Sequence, residues 1–128
     1  MRKIVSILVS LTAALGLSLI VAPSASATAN GCGDLSNGQL CVKKPSGVAG
    51  DFTSEYFKHS GSDVTVKLGV QFKNSDDHTY DPDWIATRTA VAGKYARATQ
   101  YFTTNPGWCV RATMQSGGST FISKWLCY

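Results

Sequence analysis

Residues 64–73 alternate cleanly: Val64, Val66, Leu68, Val70 and Phe72 interleave with Thr65, Lys67, Gly69, Gln71 and Lys73. A period of two over that length predicts a strand with one buried face and one wet face. Shorter strand-like runs precede it. Residues 39–44 stop at Pro45-Ser46-Gly47, and residues 52–58 stop at Ser60-Gly61-Ser62. The stretch that follows is ambiguous. Asp81-Pro82-Asp83 has the chemistry of a helix start, and residues 84–92 are rich in Ala, so a helix over 82–92 is one reading. Thr87, Thr89 and Val91 are β-branched, however, and Ala92-Gly93 lies midway to a second segment carrying Tyr95, Thr99, Tyr101 and Phe102. These features predict a hairpin of residues 84–91 and 94–102. After a turn at Asn105-Pro106-Gly107, residues 108–114 and 120–127 form a last hairpin about Ser116-Gly117-Gly118-Ser119. About seven short strands separated by turn chemistry predict an all-β fold, a single antiparallel β-sandwich. No internal repeat or linker divides it.

The alternation has no counterpart before residue 28. Arg2 and Lys3 precede a charge-free apolar run over residues 4–21, Pro23 interrupts it, and Ala25-Ser26-Ala27 supplies small residues at a cleavage site. Residues 1–27 therefore have the layout of a signal peptide, with residues 28–128 as the secreted domain starting at Thr28. An uncleaved anchor is the alternative, since the run is nearly long enough to span a bilayer. Lipidation at Cys32 is disfavoured, because Ala29-Asn30-Gly31 lacks the aliphatic residue expected three places before it. The chain ends at Tyr128 without a wall-sorting tail, so release with no remaining membrane contact is expected. Export also changes the charge. Of 12 Lys and Arg, Arg2 and Lys3 fall in the leader, leaving ten against eight Asp and Glu, a net +2 instead of +4. No basic run exceeds Lys43-Lys44, which argues against nucleic acid as a partner.

All four cysteines, Cys32, Cys41, Cys109 and Cys127, follow the cleavage site. In an oxidising compartment an even set reads as two disulfides. Three connectivities are possible, and hairpin geometry favours the sequential one. Cys109 and Cys127 face each other if the turn centres on Gly118. An Asn37-Gly38 turn leaves Cys41 two residues off direct register with Cys32. A four-thiol zinc site lacks any Cys-x-x-Cys pair. Local staples, together with the missing Cys…Trp…Cys spacing, distinguish the chain from an immunoglobulin domain.

Candidate chemistry is sparse. His59 and His78 are the two histidines and Glu55 is the one glutamate, and no Gly-x-Ser-x-Gly or His-Glu-x-x-His occurs. The expectation is a non-enzymatic protein without a cofactor, with a small extracellular hydrolase as an alternative. Asp76, Asp77, Asp81 and Asp83 form a candidate calcium loop, although it lacks the spacing and glycine of an EF-hand. The aromatic residues are more informative. On strand alternation Tyr95, Arg97, Thr99 and Tyr101 share one face, and Ala96, Ala98, Gln100 and Phe102 the other. If the small residues pack inward, Tyr95, Arg97 and Tyr101 form an outward binding patch of the kind that anchors protein interfaces.

The export signal, the Cys-flanked Asn37-Gly38 hairpin, the turn-rich strands and the closing Cys109…Cys127 hairpin together resemble small secreted proteins of filamentous actinobacteria, of the Streptomyces type. The layout is similar to the adaptor subunit of umbrella-shaped toxin particles. It is also similar to the proteinaceous α-amylase inhibitors, two-disulfide β-sandwiches whose functional Trp-Arg-Tyr triplet is missing from this chain. The resemblance implies an adaptor or inhibitor-like binder whose partner is a secreted or cell-surface protein. A lectin-like module that binds a glycan through an outward aromatic row is the alternative.

Overall fold

The computed structural model describes residues 31–128; the expected leader and its cleavage site lie outside them. Nine strands make up the described residues: β1 (Gly31–Leu35), β2 (Gly38–Lys43), β3 (Ala49–Lys58), β4 (Val64–Lys73), β5 (Asp83–Ala90), β6 (Tyr95–Thr103), β7 (Cys109–Ser116), β8 (Ser119–Ile122) and β9 (Leu126–Cys127). They form two antiparallel sheets. The first has the order β1-β2-β3-β6, and the second β5-β4-β7-β8, with β9 also pairing with β7. The fold is all-β and sandwich-like, with two disulfides, as expected. The larger strand count has two sources. Gly31–Leu35 pairs along its length with β2, and the last expected strand is broken into β8 and β9.

Alternation places the core. Val66, Leu68, Val70 and Phe72 from β4 point inward, with Val110, Ala112 and Met114 from β7. They meet Leu40 and Val42 from β2, Phe52 and Tyr56 from β3, and Ala96 and Ala98 from β6. At one end Phe52, Phe72 and Phe102 pack edge to face, with ring centroids 5.4–5.9 Å apart, a favoured aromatic geometry. The conspicuous run 64–73 is a strand, with Val64 alone of its apolar residues lying exposed at the rim.

Two local expectations are corrected. The two segments are strands rather than helix, β5 over Asp83–Ala90 and β6 over Tyr95–Thr103, and Gly93 makes the turn between them with φ 76°. They are not a hairpin, however. β5 pairs with β4 and β6 with β3, so the chain crosses between sheets at that turn. The first disulfide is also better placed than expected. The turn residues are Ser36 and Asn37, with Leu35 opposite Gly38, which brings Cys32 directly opposite Cys41 at a Cα–Cα distance of 4.0 Å. Gly38 opens β2 at a position that admits only glycine, because a Cβ there would strike the Phe57 carbonyl and the Tyr56 ring. Cys109 and Cys127 likewise face each other at 4.0 Å. Both pairs occupy sites where antiparallel strands come closest. Two disulfides are consistent with an oxidising, extracellular setting.

Candidate functional site

β6 is an edge strand, and its alternation sorts small residues inward. Ala96 and Ala98 are buried, Phe102 is half-buried, and Gln100, expected inward, is exposed. The opposite face carries Tyr95, 51% exposed, and Tyr101, 64% exposed, with Arg97 between them. The three expected patch residues thus share one solvent-facing surface. Register extends that surface over β3 and β2. Tyr95 lies opposite Phe57, Arg97 opposite Glu55, Thr99 opposite Thr53 and Tyr101 opposite Asp51. Cys41 and Lys43 follow on β2.

Glu55 organises the centre of this face. It is 5% exposed although its strand face points to solvent. Arg97 Nε donates to Glu55 Oε2 at 2.8 Å, and Lys43 Nζ lies 3.3 Å from Oε1. A hidden carboxylate needs such partners. The same contact fixes Arg97, whose guanidinium carbon sits 4.4 Å from the Tyr95 ring centre. Tyr95 in turn packs against Phe57 at 4.9 Å, and the Thr53 and Thr99 hydroxyls hydrogen-bond at 2.7 Å. Arg97 and Tyr95 therefore stand in defined positions before any partner arrives. On the open edge, Arg88 from β5 donates through Nε to the Arg97 carbonyl at 3.0 Å, which obstructs strand addition there.

The outer face of the second sheet is built differently. Trp125 lies between Lys73 and Arg111, at 4.8 and 4.2 Å from its ring centre, and Lys67 approaches Trp84 at 5.0 Å. Trp84 settles over Gly69, where a Cβ would stand 3.0 Å from the indole and 2.5 Å from the Asp83 carbonyl. Trp108 instead packs against the edge of the core and is stacked by Tyr80 at 5.3 Å. Arg111 also donates to Gln71 Oε1 at 2.8 Å, and burial lowers its pKa from the ordinary arginine value. All three tryptophans are half-buried with neighbours against their rings.

The aspartates of the β4–β5 loop do not converge. Asn74 Oδ1 accepts from the Asp76 and His78 amides at 3.0 and 2.9 Å, which closes a compact turn. Asp77 faces Lys73 at 3.4 Å, while Asp83 begins β5. Among the described residues, no group of three or more His, Cys, Asp or Glu is placed to hold a metal ion. His59 packs against Phe57 and His78 against Tyr80. Among the described residues, neither imidazole hydrogen-bonds to a hydroxyl or carboxylate. Sequence reasoning missed Glu55, Lys43 and Phe57 as parts of the patch. Their β3 and β2 positions show that they alternate, but only the sheet register sets them beside Tyr95 and Arg97.

The fold and site together define a disulfide-stapled antiparallel β-sandwich with an aromatic–arginine face. No family model matches the chain, and no curated protein matches it either.

Proposed function

We propose that this chain is a secreted, non-enzymatic protein-binding module, an adaptor or inhibitor-like subunit that docks through Tyr95, Arg97 and Tyr101. The observation that carries the reading is Arg97 held by Glu55 between two exposed tyrosines. Tyrosine and arginine are enriched at binding hot spots, and side chains already held in place lose less entropy on association. The half-buried tryptophans, with cations or Tyr80 against their rings, suit glycan stacking less well than an open aromatic row. Residues 1–27 act as the export signal in this reading. N-terminal sequencing of protein recovered from culture fluid should begin at Thr28.

The partner is a secreted or cell-surface protein. To test this, immobilised protein is incubated with culture fluid from the source organism, alongside a Tyr95→Ala/Tyr101→Ala double variant. A defined protein retained by the wild type and lost by the variant, at unchanged melting temperature, supports the reading. Equal retention by both, or glycan-array binding that survives the double substitution, overturns it. Lys43 and Arg97 are balanced on this face by Glu55 and Asp51. The affinity for the retained partner should therefore change little between low and physiological salt, measured by titration calorimetry.

A further inference from the structure

At the end of the sandwich away from the phenylalanine cluster, β3 carries its inward alternation Phe52, Ser54, Tyr56 on to Lys58. A lysine thus stands where the next core residue belongs, and it is 2% exposed. Among the described residues, no carboxylate lies within 4.0 Å of its Nζ. Its protein acceptor is the Ser60 carbonyl, which Asn37 Nδ2 already reaches at 2.8 Å. A lysine whose stem fills a core position, with one shared acceptor and no counter-ion for its ammonium, is an expensive choice where an apolar residue would pack as well. Lys58 also lines a cavity of about 190 Å³ that opens between the sheets. Val64, Val66, Met114 and Phe121 give that cavity apolar walls.

The rim is fixed in advance. Asn37 binds the Ser60 amide and hydroxyl through Oδ1, both at 3.1 Å, and the Tyr56 hydroxyl donates to the Asn37 carbonyl at 2.9 Å. The β1–β2 and β3–β4 turns are therefore clasped beside the opening. A cavity bordered by Lys58 with the polar Ser36, Asn37, Tyr56 and Ser116, and by apolar side chains, complements an anion on a compact apolar body. A cavity of about 150 Å³ holds a benzene ring, so this one suits a group of roughly seven heavy atoms.

We infer that this cavity binds a small apolar carboxylate, with the Lys58 ammonium taking the carboxylate and Val64, Val66, Met114 and Phe121 enclosing the apolar body. The chemistry has two sources, a free short-chain acid or the C-terminal residue of a partner chain that ends in an aliphatic side chain. The site lies apart from the outer face of β6 and does not depend on docking there.

Titration of the purified protein with isovalerate, isovaleramide and N-acetyl-leucine, followed by methyl and amide NMR, tests the inference. Isovalerate is expected to shift the Val66 and Met114 signals to saturation, and isovaleramide to bind about tenfold more weakly or worse. Tighter binding of N-acetyl-leucine than of isovalerate assigns the site to a chain terminus, and the reverse assigns it to a free acid. Lys58→Met should remove the preference for acid over amide. Val64→Trp, at the exposed rim, leaves Lys58 in place but fills the mouth, and should abolish binding of both acids. The inference is overturned if neither acid gives saturating shifts, if the amide binds as tightly as the acid, or if Val64→Trp binds unchanged.

Discussion

Glu55 shows how much one side chain can depend on register. It faces outward on β3, yet Lys43 and Arg97 close over it from neighbouring strands. Truncating Arg97 leaves that carboxylate under cover with Lys43 alone, so Arg97→Ala should cost about 2 kcal/mol in urea unfolding. Glu55→Gln keeps an acceptor for Arg97 and frees two cations that already reach water, so about 1 kcal/mol is expected. If Arg97→Ala costs no more than Glu55→Gln, the carboxylate is hydrated and does not organise the patch. The buried phenols give a second test. Burial raises the pKa of Tyr56 and Tyr128 above the ordinary value of 10.0. Above pH 10 the unfolded chain releases protons that the native state keeps, so the native state binds more protons there. Stability should therefore fall as pH rises from about 10 through the raised values, with no contribution below that window. Melting temperatures on either side of pH 10 check the sign, and Tyr56→Phe should flatten the decline.

At the scale of elements, local chemistry located turns and strands, while pairing depended on partners far along the chain. The alternation over residues 64–73 became β4, and the small-in, aromatic-out order of residues 95–101 became the two faces of β6. Ala92-Gly93 does turn the chain, but the strands on either side find longer-range partners, β4 for one and β3 for the other. A hairpin inference uses proximity alone and cannot see that competition. The bulge between Leu68 and Gly69, which seats Trp84, was hidden for the same reason. The last hairpin was nearly legible. Its turn is Gly117-Gly118, half a residue from the expected centre, and Ser123-Lys124-Trp125 absorbs the difference so that Cys127 still meets Cys109. Ser123 Oγ holds that break by accepting the Ala112 amide at 2.8 Å. Both glycines have positive φ, 56° and 81°, and open space around them, so substitution there reports backbone preference alone. Gly117→Asn suits this turn and should stabilise by about 0.5 kcal/mol. Gly118→Val should destabilise by about 1–2 kcal/mol. Equal effects in thermal melts would mean that the turn is not formed in solution.

The whole molecule is two sheets with one disulfide each, and the two staples sit in different surroundings. Cys32–Cys41 joins an edge strand to its neighbour in the first sheet, beside Glu55 and Lys43. Cys109–Cys127 anchors the two-residue strand β9 to β7 in the second, and so holds Leu126 in the core. They close sequence separations of 9 and 18 residues, so each should contribute about 3 kcal/mol by restricting the unfolded chain. A domain of this size has a total stability of roughly 5–15 kcal/mol. Removing one staple therefore leaves a folded sandwich, whereas removing both takes at least about 6 kcal/mol, enough to unfold a chain near the lower end of that range. The second staple should also cost more than its chain entropy, because without it β9 has few contacts to keep Leu126 buried. Urea unfolding of Cys32→Ser/Cys41→Ser, Cys109→Ser/Cys127→Ser and the fourfold variant separates these terms. The expected order is a modest loss for the first pair, a larger loss for the second, and a chain largely unfolded at physiological temperature for the fourfold variant. Equal losses for the two pairs would show that β9 stays docked without its disulfide, leaving loop closure as the whole of its effect.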